Sequence, residues 1–216
     1  LYLLHGAYGD AFSWVRYSNI DRYAQDRGIV VVMASAENSF YQDLRSGKKY
    51  KTFFTEELPL FIRNVFPVSR EKTFIAGFSM GGYGAWYLAL SRPELYAKAA
   101  SMSGALDIAG LYQAAAAGNN DNNPFHWEDC FGDPDKLAGS DYDLFTLYDR
   151  DVKNGCVPKL YQAVGRDDFL YPSNVYVRKL LEQKQADLTY EEDKGGHDWN
   201  FWDQYIQHIL DWMLHD

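Results

Sequence analysis

Thr73 to Leu90 reads TFIAGFSMGGYGAWYLAL, and this stretch decides the fold. An apolar, β-type run, Thr73 to Ala76, meets the pentapeptide Gly77-Phe78-Ser79-Met80-Gly81. A helix-like run, Gly82 to Leu90, follows at once. Strand, G-x-S-x-G and helix in that order are what a nucleophile elbow requires. The reason is steric: the chain reverses on so sharp a turn that strand and helix nearly touch. Side chains two before and two after the serine would collide, so glycine is needed at both places. The turn lifts the Ser79 hydroxyl clear of the sheet and aims the Met80 amide at a reacting carbonyl. The pentapeptide alone is weak evidence, because a glycine-rich turn with an idle serine matches it equally well. The flanking strand and helix carry the reading.

Outward from the elbow, strands and helices alternate. Leu1 to Leu4 reads as a buried strand, and Asn19 to Arg27 as a helix stopped by Gly28. Ile29 to Ala34, IVVVMA, is the most strongly β stretch. Thr52 to Phe66 reads as a helix with Leu58, Phe61, Ile62 and Val65 on one face. Pro59 should kink it or mark its first turn. Ala97 to Met102 is a strand, Pro158 to Val164 another, Pro172 to Gln185 a helix and Leu188 to Glu192 a strand. Trp199 to Leu214 is an amphipathic helix, with Trp202 among its apolar residues. Only Ile108 to Gly155 breaks the rhythm, with a polyalanine piece, a polar run from Gly118 to Asn123 and scattered aromatics. It reads as an insertion of short helices and loops that covers the site. The fold class is therefore α/β: one domain, residues 1–216, with a mostly parallel sheet and helices on both faces.

Composition bounds the function. The net charge is −9 and no basic cluster stands out, which argues against nucleic acid and anionic membranes as partners. No run approaches 18 apolar residues, so no membrane span is expected. Cys130 and Cys156 are expected to be free thiols, since nothing resembles a disulfide scaffold. No cofactor is called for, and no metal, there being no H-E-x-x-H and no CxxC pair. Asp133, Asp135, Asp141 and Asp143 read as a solvated acidic loop rather than a calcium site.

In parallel sheets the site lies beyond the carboxyl ends of the strands. His5-Gly6, Ser79, Ser103-Gly104, Gly165 to Asp168 and Gly196-His197 all fall there. A serine hydroxyl needs a base. Of five histidines, His208 and His215 lie on the last helix, His126 in the insertion, and His5 braces the loop after the first strand. His197 sits in the glycine-rich loop Lys194 to Trp199, which lets its ring reach across the strand ends. The base needs a carboxylate that fixes its tautomer. Asp168 follows a strand directly and is the first choice; Asp167 is the near alternative and Asp107 another. Asp198, adjacent to the histidine, is badly placed to orient it. The Ser79, Asp168, His197 order matches the acid-before-base order of α/β-hydrolases. Met80 and Ala7 are the expected oxyanion donors, with Tyr8 in reserve. Tyr8, Trp14, Trp127, Phe169 and Trp199 are the aromatic residues expected to line the substrate.

Four blocks, LYLLHGAYGD (1–10), AGFSMGGYGAWYLAL (76–90), GRDDFLY (165–171) and GGHDWNFW (195–202), resemble the esterase D / tributyrin esterase family of α/β-hydrolases. That family is related to the feruloyl and acetyl esterases of carbohydrate esterase family 1. The resemblance implies an α/β-hydrolase fold, the triad Ser79, Asp168 and His197, and oxyanion donors Ala7 and Met80. It implies a small-molecule ester as partner, cleaved as a short acyl ester through an acyl-enzyme. A feruloyl or acetyl-xylan esterase, an S-formylglutathione hydrolase and an acyltransferase are the other readings it allows. Two departures stand out. Asp167 replaces a glutamate common in relatives, and the family's first two strands are absent. Their absence leaves the Ile29 to Ala34 strand as an open edge, which further residues upstream or a second copy in a homo-oligomer would cover. A cytoplasmic location is the expectation.

Overall fold

The computed structural model describes residues 1–118 and 125–215. The polar run after Gly118 lies outside the described residues. Among the described residues, five strands form one sheet in the order β1-β2-β3-β4-β5, every neighbouring pair parallel. They are β1 (Tyr2–Leu4), β2 (Phe74–Phe78), β3 (Lys98–Met102), β4 (Lys159–Gly165) and β5 (Leu188–Asp193). Because strand side chains alternate between faces, the sheet divides two cores. On β2, Ile75 enters one core, while Phe74, Ala76 and Phe78 enter the other.

The first core holds α4 (Leu58–Val65), α5 (Met80–Ser91) and α9 (Tyr171–Gln183), and the second holds α2 (Ile20–Arg27) and α10 (Trp199–Leu214). Two short helices, α1 (Ser13–Tyr17) and α3 (Tyr50–Thr52), complete the first third of the chain. From Met80 to Leu90 every residue of α5 is buried, as befits a helix apolar on all sides. The described residues between 108 and 155 form α6 (Ile108–Ala117), α7 (Trp127–Phe131), a 3-10 turn (Pro134–Lys136) and α8 (Leu144–Asn154). Their Tyr112, Trp127, Phe131, Leu144 and Leu147 join the α5 core, so the scattered aromatics of the sequence converge in one cluster with Phe40 and Tyr83.

Two expectations are corrected. Ile29 to Ala34 is not a regular strand: it makes one parallel bridge, Val32 with Tyr2, against the outer edge of β1. Strand geometry is maintained by pairing, and β1 offers three residues before His5-Gly6 turns away. In the Thr52 to Phe66 segment, Ile62 and Pro59 are buried while Phe61 and Val65 are exposed. A π turn, Phe53–Glu57, precedes α4, and the Leu58 amide reaches back to the Phe53 carbonyl. Pro59 cannot donate in an α ladder, and the wider turn lets the helix pass it. The extra residue in that turn rotates the face that α4 buries. Both cysteines are free, Cys130 buried and Cys156 exposed. Among the described residues, no helix is long and apolar enough to cross a membrane.

Candidate active site

Ser79 links β2 to α5 at φ 55°, ψ −121°. The turn leaves no room on either side. A Cβ on Gly77 would collide with the Gly81 carbonyl, and one on Gly81 would stand 2.5 Å from the His5 carbonyl oxygen. The strained backbone is held at both ends. The Ser79 amide donates to the Met102 carbonyl at 2.9 Å. The Ser79 carbonyl accepts from Gly82 (3.0 Å), Tyr83 (3.2 Å) and Ala105 (3.2 Å).

His197 arrives from the loop between β5 and α10. Its Nε2 lies 2.9 Å from Ser79 Oγ, and its Nδ1 lies 2.9 and 3.0 Å from the two oxygens of Asp168. An ionised carboxylate only accepts, so Nδ1 carries the proton and Nε2 is left to accept from the serine hydroxyl. The loops bearing Asp168 and His197 are tied together. Asp167 N–H donates to the Gly195 carbonyl at 2.9 Å, and Gly165 has that same carbonyl where a Cβ would be. Asp168 is 4% exposed and also accepts from the Leu170 amide at 2.8 Å. Burial pushes its carboxyl upward, but hydrogen bonds from His197 and Ser103 outweigh this and hold it below the ordinary range.

The other acids have different partners. Asp167 is exposed. Asp107 caps α6 by accepting from Gly110 N–H (3.1 Å), and Asp198 caps α10 by accepting from Asn200 (2.9 Å) and Phe201 (3.2 Å). Asp133 caps the 3-10 turn and Asp143 caps α8. No set of three or more His, Cys, Asp or Glu side chains converges as a metal would require, among the described residues.

The Ala7 and Met80 amides have no acceptor among the described residues. The Tyr8 amide does: it donates to Asn38 Oδ1 at 2.8 Å, which removes it as a reserve donor. His5, fully buried, donates from Nδ1 to the Gly6 carbonyl (2.7 Å) and accepts at Nε2 from the Ala36 amide (2.9 Å). Burial holds its pKa below the usual imidazole value.

The five aromatic candidates separate. Tyr8 (70% exposed) and Phe169 (73%) are open rings, and Phe169 lies 4.5 Å from the His197 ring, centroid to centroid. Trp14 is only 1% exposed, its indole N–H donating to the Leu4 carbonyl, and Trp127 is 7% exposed, stacked between Phe40 and Tyr112. Both are core residues, withdrawn from any substrate. Trp199 is half-buried among Trp14, Tyr17, Phe78 and Trp202. Sequence reading gave no role to Asn38, Ser103 or Trp202. Asn38 carries no pattern at all, Trp202 reads as an apolar helix position, and Ser103 had only its place at a strand end as a signal.

The family model described as "Putative esterase" matches residues 1–213. An acetyl esterase of Caldicellulosiruptor saccharolyticus is 40% identical over 223 residues, covering 99% of this chain and 82% of the relative. Among solved structures, the fluorophosphonate-binding serine hydrolase F of Staphylococcus aureus superposes with a TM-score of 0.89 at 31% identity, covering 100% of this chain and 83% of that one. An S-formylglutathione hydrolase from Staphylococcus aureus follows with a TM-score of 0.86 at 31% identity, covering 99% and 83%. With a family match across nearly all its residues and a relative of this identity, the chain belongs to the esterase family, as a serine ester hydrolase of the α/β-hydrolase fold.

Proposed function

We propose that the chain hydrolyses short-chain acyl esters, acetyl foremost, through an acyl-enzyme on Ser79. The observation that carries this reading is the continuous hydrogen-bonded line from Ser79 Oγ through His197 to Asp168. As Oγ attacks the ester carbonyl carbon, its proton passes to His197 Nε2, and the carbonyl π pair moves onto oxygen. Asp168 stays ionised, fixes the tautomer and stabilises the imidazolium. The Met80 and Ala7 amides receive the oxyanion, each worth about 10²–10³ in kcat. Collapse of the tetrahedral adduct breaks the C–O bond, and the leaving alkoxide takes the proton from Nε2. Water then repeats the sequence on the acyl-enzyme and releases the carboxylic acid.

On this reading Tyr8 and Phe169, both open rings, flank the entrance for the ester, and the insertion, whose Phe125 ring meets Tyr8, covers the site within one domain. The rings left at the site, Tyr8, Phe169 and half-buried Trp199, favour a short acyl group. Each methylene buried adds about 0.8 kcal/mol, but only where room exists. The acetyl esterase relative supports the same preference. A second reading, hydrolysis of a short acyl thioester, is favoured by the likeness to the S-formylglutathione hydrolase. The test is a panel of p-nitrophenyl esters from acetate to decanoate, with S-formylglutathione, methyl ferulate and acetylated xylan alongside. kcat/KM should peak between acetyl and butyryl and fall steeply by octanoyl. Rates climbing through decanoate would sink the short-acyl reading. S-formylglutathione outrunning every oxygen ester would establish the thioester reading instead.

A further inference from the structure

We propose that Ser103 and Trp202 act as a positioning pair for Asp168 and His197, a role that rests on the triad reading above. Ser103 follows β3 in a left-handed backbone, φ 49°, fully buried, with its amide donating to the Ala163 carbonyl at 2.7 Å. A non-glycine residue held there is strained, and such strain persists only where its surroundings enforce it. The Ser103 side chain is held by Trp202 of α10, whose Nε1 lies 3.2 Å from Ser103 Oγ.

The direction of that contact decides the next one. An indole N–H only donates, so Ser103 Oγ is the acceptor. A hydroxyl has one proton and two lone pairs. With a lone pair committed to Trp202, the proton is free for another acceptor, and the proposal gives it to the Asp168 carboxylate, whose lowered pKa a Ser103 donor supports. Beside the two donors that the structure gives Asp168, His197 Nδ1 and the Leu170 amide, the Ser103 hydroxyl is then a third. Three donors fix the plane of a carboxylate that has almost no solvent to orient it.

The same indole packs on His197 and on the chain neighbour of Ser79. Its ring stands edge-on to His197, with centroids 5.0 Å apart at 89°. It also stacks on Phe78, the residue before Ser79, at 4.1 Å and 24°. Trp202 therefore props the base by packing and the acid by its N–H, the latter only through Ser103. Neither residue touches the reacting atoms, so both are positioning residues.

The pair is separable from ordinary packing by a double-mutant cycle with Ser103→Ala, Trp202→Phe and both together, assayed on p-nitrophenyl acetate. Each substitution removes one link of the same chain. Ser103→Ala should lower kcat about tenfold, the scale of one hydrogen bond to a charged group, with KM changed less than about twofold. Trp202→Phe keeps a ring against His197 and should cost about the same. The double variant should be no worse than the worse single. Ser103→Gly is the stability control. It relaxes the strained backbone yet lacks the hydroxyl, so it should match Ser103→Ala in kcat while melting no lower than Ser103→Ala.

Wild-type kcat in Ser103→Ala, or losses that multiply in the double variant, would overturn the pairing. So would a Ser103→Gly protein whose kcat recovers along with its stability. If Trp202→Phe does not fold, the comparison of Ser103→Ala with Ser103→Gly decides. Asp168→Asn in the same assay separates the two readings. Its full activity would overturn the triad and the pair together, whereas its inactivity beside an unaffected Ser103→Ala would overturn the pair alone.

Discussion

Ser79 occupies a backbone that costs an L-residue of order 1–3 kcal/mol, and the surrounding hydrogen bonds hold it there. Ser79→Ala keeps the Cβ and the turn, so it should fold normally while kcat on p-nitrophenyl acetate falls more than about 10³-fold. A variant keeping more than a few per cent of turnover would move the nucleophile elsewhere. Three of the nearby acids are equally separable. Asp168→Asn should lower kcat by about 10⁴, because an amide can donate to Nδ1 and select the wrong tautomer. Asp167→Asn should be close to neutral. Asp107→Ala should cost stability, about 1 kcal/mol for a lost helix cap, with turnover per folded molecule unchanged. Urea titration beside the kinetic assay distinguishes the two kinds of loss. If Asp107→Ala were the more damaging to kcat, the acid would belong after β3.

At the scale of elements, the loop after β1 depends on a neutral imidazole. His5 Nε2 accepts from the Ala36 amide, and a proton there would break that bond inside a buried site. Burial lowers the folded pKa, while the Gly6 carbonyl and Asp10 oppose it more weakly. The unfolded chain therefore binds more protons in mild acid. The His5 contribution to stability is complete above the unfolded value of about 6.5 and is lost as pH falls through the lower folded value. Chemical denaturation at a series of pH values should show stability declining from about pH 6.5 downward. His5→Gln, which can still accept from Ala36, should flatten that slope. An identical slope in the variant would assign it to other groups.

The elements also show how far sequence reaches. The five strands, the elbow helix and α10 were legible because local periodicity and end signals agree with the tertiary arrangement. Ile29 to Ala34 was not, since β-propensity says nothing about whether a partner strand is long enough. The buried face of α4 was hidden by the π turn before it. Ser79, Asp168 and His197 could be nominated from their places at strand ends, whereas Trp14 and Phe169 could not be told apart. Aromatic content does not say which ring meets solvent and which meets Phe78.

For the whole molecule, the unequal depth of the three site residues matters most. Ser79 stands where β2, paired on both sides, meets the buried start of α5. His197 hangs from the end of β5, the outermost strand, paired on one side only and with side chains mainly half-buried. Local openings start where burial is least. A fluctuation that peels β5 from β4 would carry His197 away while the interior stays packed. Heat should therefore silence the enzyme before it melts it. The midpoint of reversible activity loss should lie below the near-ultraviolet dichroism transition, and β5 amides should exchange hydrogen faster than those of β2. Coincident transitions would mean that the rim and the interior fail as one body. Separated ones would make the β4–β5 seam the place where added cross-links extend working temperature without raising the melting point.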